Sequence, residues 1–209
     1  MDVRLPSKKT QTGRHSKEAR GNELYPTPSC LVDALVKAEP LPTWIWEPAA
    51  GMGHLAAGLV AAGHHVRAAD LVDYGQTVEG SPRIEVADFL REWDSKGHSC
   101  IVTNPPFSLA ERFVRHALDI HGITKIVILA RLAFLEGSGR SDIIDGHLAR
   151  VYPIISRPPM MHRWSQGEDC IWREWDGDKA GSAMPFAWFV FLREHRPEWG
   201  TMLRRINYK

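Results

Sequence analysis

Seven short apolar runs alternate with stretches of helical spacing along most of this chain, and that alternation constrains its fold more than any other feature. The runs are WIWEP (44–48), HVRAAD (65–70), IEVAD (84–88), CIVTN (100–104), KIVILARLAF (125–134), VYPIIS (151–156) and AWFVFLRE (187–194). Helical stretches fall near 54–62, 108–120 and 141–149. Another helix is expected after YPTP (25–28), with Thr27 as its cap, Pro28 at its first position and Leu31, Val32, Leu35 and Val36 along one face. Ser108 and Glu111 have the spacing of a capping box. Strands separated by helices need crossover connections, so the expectation is an α/β fold with a mostly parallel sheet. Such sheets bind ligands at the carboxyl ends of their strands.

The 209 residues fit one domain with a small insertion, and an apolar share of 44% supports a sizeable core. Residues 1–22 hold six Lys/Arg against two acids and few apolar groups, which reads as a flexible basic tail able to touch phosphates or simply to stay solvated. Residues 23–209 form the expected single domain. The tail is too polar for a secretory signal, and no run is long and apolar enough for a bilayer, so a cytoplasmic protein without membrane contact is expected. Cys30, Cys100 and Cys170 are scattered, which argues against a disulfide framework or a zinc site, and no histidine has ligand spacing. No metal is expected.

WIWEPAAGMGHLAAG (44–58) places a G-x-G-x-x-A turn directly after a strand. Glycines there let the backbone approach a ligand, and the following helix N-terminus favours negative charge. Asp70 ends the next strand, at about the 20-residue spacing of a ribose-binding acid. A nicotinamide dinucleotide and S-adenosylmethionine (SAM) both suit these features. Glu47 tilts the choice. A carboxylate before the glycines repels a pyrophosphate and suits a ligand with sulfonium and ammonium charges. Asp88 ends a further strand, where it can accept from an adenine amino group.

Asn104-Pro105-Pro106-Phe107 follows the apolar run that begins at Cys100. The Asn104 side-chain oxygen and the Pro105 carbonyl can both accept from a planar NH2 group, freeing its lone pair for attack. Consecutive prolines hold that carbonyl in place. Phe107 offers a face on which a base can stack.

With these motifs the sequence resembles the class I SAM-dependent DNA adenine-N6 methyltransferases, in their gamma-like motif order and small phage or prophage type. YPTP, EPAAGMG (47–53) and NPPF (104–107) carry the resemblance; RLAFLEGSGR (131–140), RPPM (157–160) and AWFVF (187–191) add to it loosely. It spans about 23 to 194. It implies a Rossmann-like fold with a seven-stranded, mostly parallel sheet, helices on both faces and an antiparallel C-terminal strand. It implies that Tyr25 and Thr27 lie near the methionine part of SAM, and that Glu47, Ala49, Gly51 and Gly53 form its loop. Asp70 would hold the ribose and Asp88 the cofactor adenine. Asn104, Pro105, Pro106 and Phe107 would hold a target base flipped out of DNA, with direct methyl transfer to its N6 amino group. The resemblance departs in one respect: gamma-type enzymes carry a large target-recognition domain, whereas here there is room only for residues 157–185.

That stretch has no clean period and holds Trp164, Trp172 and Trp175. It reads as a substrate-recognition excursion, with Arg157, His162, Arg163 and Arg173 contacting nucleic acid, or as a hairpin packed back on the core. Arg131 reads as one half of a structural ion pair, or as a residue of the cleft. Four other activities remain open on the residues alone: RNA base methylation, at adenine N6 or guanine N2; methylation of a protein glutamine; a dinucleotide oxidoreductase, disfavoured by Glu47; and a silent nucleic-acid binder. Oligomeric state is not legible.

Overall fold

The computed structural model describes residues 23–156, 164–166, 172–174 and 184–209. Its centre is a mixed sheet. Four strands run β1 (Trp44–Glu47), β2 (His65–Asp70), β3 (Ile84–Val86) and β4 (Cys100–Thr103), followed by β5 (Lys125–Arg131) and β6 (Leu148–Ile155). β7 (Trp164–Gln166) and β8 (Trp172–Glu174) pair only with each other, antiparallel, within the stretch read as an excursion. β9 (Phe186–Leu192), β10 (Met202–Leu203) and β11 (Ile206–Asn207) complete the set. The sheet order is β10-β6-β9-β5-β4-β1-β2-β3, with β11 also on β6. β9 alone runs antiparallel, inserted between β5 and β6. This is the expected Rossmann-like arrangement of seven main strands. The two extra strands, β10 and β11, are two residues each, too short to show a period in the sequence.

Among the described residues four α-helices cover the sheet: α1 (Ser29–Ala38), α2 (His54–Ala61), α3 (Ala110–Asp119) and α4 (Ser141–His147). Alternate residues of each strand point to opposite faces. Ile45, Cys100, Val102, Val127, Leu129, Trp188 and Val190 therefore pack with Leu31, Leu35, Leu55 and Leu59 of α1 and α2. Their neighbours Trp46, Ile101, Ile126, Ile128, Phe189 and Phe191 pack with Phe113, Val114 and Ala117 of α3 and Ile143 of α4. Covered on both faces, the central strands are apolar at nearly every position, which is why they stand out in the sequence.

Two helix starts differ from expectation. The cap of α1 is Pro28, and no side chain caps it; the Thr27 hydroxyl is used elsewhere. The cap of α3 is Leu109, again without a side-chain bond. Ser108 instead donates its hydroxyl to Glu23, and Glu111 pairs with Arg115. Tertiary partners replace the local caps in both cases. No helix among the described residues is long and apolar enough to cross a membrane.

Candidate active site

Strand ends converge along the carboxyl edge of the sheet. Glu47 ends β1, Asp70 ends β2, Asp88 follows β3 and Asn104 follows β4. With residues 23–27, which precede α1, they enclose a cleft of about 560 Å³. Tyr25, Thr27, Glu47, Ala49, Gly51, Asp70, Asp88, Asn104 and Pro106 line it. Gly53, Pro105 and Phe107 do not. Apolar residues that sequence reasoning did not assign to the site complete its walls, among them Leu71, Phe89, Leu90, Leu109 and Phe113. Leu71 is 66% exposed, a large apolar group left open at the cleft. It directly follows Asp70, and that adjacency was the available signal.

The turn after β1 is built by its own backbone. Ala50 N–H donates to the Ala69 carbonyl and Gly53 N–H to the Ala50 carbonyl. Gly51 and Gly53 sit at φ 57° and 88°, the left-handed region open to glycine. A side chain at Gly51 would meet Leu24, and one at Gly53 would meet Ser81. Gly53 thus shapes the entry to α2 rather than the cleft wall.

Asp70 fixes this turn. Its carboxylate accepts from Gly51 N–H at 2.8 Å and from Val72 N–H at 2.9 Å. Burial raises its pKa, against the pull of those donors. Each oxygen keeps a second lone pair for a ligand hydroxyl. Asp88 plays a comparable local part. It accepts from Leu90 N–H at 3.0 Å, capping a short 3-10 turn, and approaches Arg91.

Glu47 is the most deeply buried carboxyl group of the site. It is 1% exposed, and its Oε2 has no hydrogen-bond partner among the described residues. Burial first, and then the nearby Asp70 charge, push its pKa well above the usual carboxylate range. A cationic ligand in the cleft would supply the missing partner and restore the ionised form.

Asn104 is oriented by the segment before α1. Its Nδ2 donates to the Tyr25 carbonyl at 2.9 Å and to the Thr27 hydroxyl at 3.2 Å. The Tyr25 carbonyl only accepts, so the amide orientation is set. Oδ1 is left buried and without a partner among the described residues. An unmatched buried acceptor costs about 1–3 kcal/mol, which an incoming N–H donor would recover. The same segment is tied to the Asn-Pro-Pro-Phe turn by Glu23, which accepts from Ser108 N–H and Oγ–H.

Phe107 stacks on Tyr25, with ring centroids 5.5 Å apart, and meets Phe186 at 5.6 Å. The Arg131 guanidinium lies 4.8 Å from the Phe107 centroid. Arg131 makes no ion pair among the described residues, so its structural-pair reading is replaced by a ring contact. Of the expected nucleic-acid contacts, Arg157, His162 and Arg163 lie outside the described residues. The backbone of Arg173 lies in β8, opposite Ser165.

No family model matches the chain, and no curated protein matches it. Solved structures do. An inferred RNA methyltransferase from Pyrococcus horikoshii is 15% identical over 82% of this chain and 87% of its own, with a TM-score of 0.56. A predicted O-methyltransferase from Agrobacterium tumefaciens is 15% identical, covering 87% and 86%, with a TM-score of 0.54. The modification subunit of an inferred type I restriction enzyme from Vibrio vulnificus is 14% identical, with a TM-score of 0.57. It covers 90% of this chain, which spans 49% of that subunit. The chain has the class I methyltransferase fold.

Proposed function

We propose that this protein transfers a methyl group from SAM to the exocyclic N6 amino group of adenine in DNA. The observation that carries the proposal is the Asn104 amide, whose Nδ2 is held by Tyr25 and Thr27 while Oδ1 stays buried with no donor among the described residues. That acceptor suits a planar NH2 group. The fold shared with methyltransferases and the buried Glu47 Oε2, without a partner among the described residues, support SAM as the cofactor. Glu47, Gly51 and Asp70 would hold it, with Tyr25 and Thr27 at its amino-acid end, and Asp88 beside Phe89 at its adenine. When bound, SAM supplies an electrophilic methyl group.

The chain's own part is placement and charge stabilisation. Asn104 Oδ1 and the Pro105 carbonyl accept from the target amino group, concentrating electron density on its nitrogen. The nitrogen gains a methyl and gives up one proton to solvent. A base in duplex DNA must leave the stack to reach the cleft. Tyr25, which lines the cleft and is backed by Phe107, would receive it by stacking, a contact of about 1–3 kcal/mol per base. RNA is the second reading. The likeness to an inferred RNA methyltransferase favours keeping it, and the amino chemistry is identical.

The test is incubation with labelled SAM and either DNA or RNA, followed by identification of the methylated nucleoside. N6-methyladenine in DNA is the expected product. Asn104→Ala is expected to lose roughly 100-fold or more in turnover, the scale of removing one transition-state hydrogen bond, while keeping SAM affinity. Full turnover in that variant overturns the assignment.

A further inference from the structure

The structure assigns Arg131 as the phosphodiester-binding residue beside the Asn-Pro-Pro-Phe turn, which makes the substrate a polynucleotide rather than a free base, a nucleoside or a protein amide. This rests on the amino-methylation reading and deepens it.

Arg131 is the last residue of β5, next to the strand that delivers Asn104, and it is exposed. Across the antiparallel pair it faces Phe186, which also contacts Phe107. Its guanidinium lies over the Phe107 ring at 4.8 Å. Arg91 meets Asp88 and Arg115 meets Glu111 and Asp142, while Arg112, which lines the cleft, has no ion pair among the described residues but also no contact with the Asn-Pro-Pro-Phe ring. Among the described residues Arg131 has neither a carboxylate nor a carbonyl partner.

A guanidinium over an aromatic ring is drawn to the π system by its charge and keeps N–H groups for an acceptor. The matching acceptor is a planar or tetrahedral oxyanion bound through two oxygens, as in a phosphodiester. Beside a pocket for one base, that acceptor is the phosphate flanking the target nucleotide. Phosphate contacts of this kind set register without reading sequence.

The test compares the wild-type protein with Arg131→Gln and Arg131→Lys. Methyl transfer is measured on a short adenine-containing oligonucleotide, as DNA and as RNA, over a series of potassium chloride concentrations. Calorimetric SAM binding in each variant reports an intact fold and cofactor pocket. Arg131→Gln is expected to raise KM for the oligonucleotide roughly ten-fold and to lower the slope of log KM against log salt by about one. Arg131→Lys keeps the charge and is expected to keep the slope. The polymer on which the KM effect appears identifies the source of the phosphate. An unchanged KM and slope in Arg131→Gln, with transfer by the wild type intact, overturns this assignment alone. Absence of transfer to either polymer by the wild type overturns the amino-methylation reading, and this inference falls with it.

Discussion

Glu47 is legible as a residue type but not as a state. Its position before the glycines is readable in the sequence; its complete burial beside Asp70 is not. A carboxyl whose pKa is raised on folding costs nothing while neutral, and stability is lost as pH rises through the ordinary carboxylate range toward the raised value. Glu47→Gln should therefore melt higher than the wild type without ligand, by a margin that grows from pH 5 to pH 8 in thermal scans. The same variant should bind SAM roughly 10- to 100-fold more weakly by calorimetry, from the ~1.5–3 kcal/mol of a hydrogen bond to a charged group. Thr27 shows a different gap. Its sequence context points to a helix cap or a cofactor contact, whereas its hydroxyl accepts from Asn104. Thr27→Val should lower kcat roughly ten-fold, the effect of losing a hydrogen bond of about 1 kcal/mol or slightly more, and Thr27→Ser should restore it in the same assay.

Elements were legible in proportion to their burial. β1, β2, β4, β5 and β9 lie close to their apolar runs because both faces are covered. β10 and β11 were missed because two residues carry no period, and α4 gives up Leu148 and Ala149 to β6. The glycine turn offers a controlled comparison. Gly63 has φ 92° with open space around its missing Cβ, so Gly63→Ala carries only the left-handed penalty. At about 1–2 kcal/mol, each kcal/mol lowers Tm by roughly 2–4 °C in a chain of this size. Gly53→Ala adds a collision with Ser81 and should melt lower still, with weakened SAM binding because the turn that carries Gly51 is displaced.

At the scale of the molecule, the sheet has two edges with separate roles. The edge opposite the cleft holds Glu39, 1% exposed, bonded to Lys125 at 2.8 Å, Arg150 at 2.7 Å and Tyr152 at 2.8 Å. Burial opposes the charged form of Glu39, but Arg150, Lys125 and Tyr152 outweigh it and lower its pKa. Its stabilisation is present above the ordinary carboxylate range and fades as pH falls through the lowered value. Glu39→Ala should cost about 3 kcal/mol, the low end for breaking a buried pair, because Lys125 and Arg150 keep contact with water. Thermal unfolding at pH 7 should show the loss, shrinking in acid. SAM affinity should hold, since Glu39 sits at the edge away from the cleft. These ties cross long stretches of chain, as do those from Asn104 back to Tyr25 and Thr27, so no local pattern announces them.

By itself the sequence determined the alternation of strands and helices, the left-handed glycine turn and the chemical character of the Asn-Pro-Pro-Phe turn. Each of these is fixed by a few neighbouring residues: periodicity, backbone sterics and side-chain type. Only the tertiary structure decided which way the Asn104 amide points, that Asp70 secures the glycine turn, that Glu47 is stripped of water, and that Arg131 rests on Phe107 with no acid partner among the described residues. Those outcomes depend on hydrogen bonds, desolvation and ring contacts between groups brought together by folding, and such interactions leave no period in the chain.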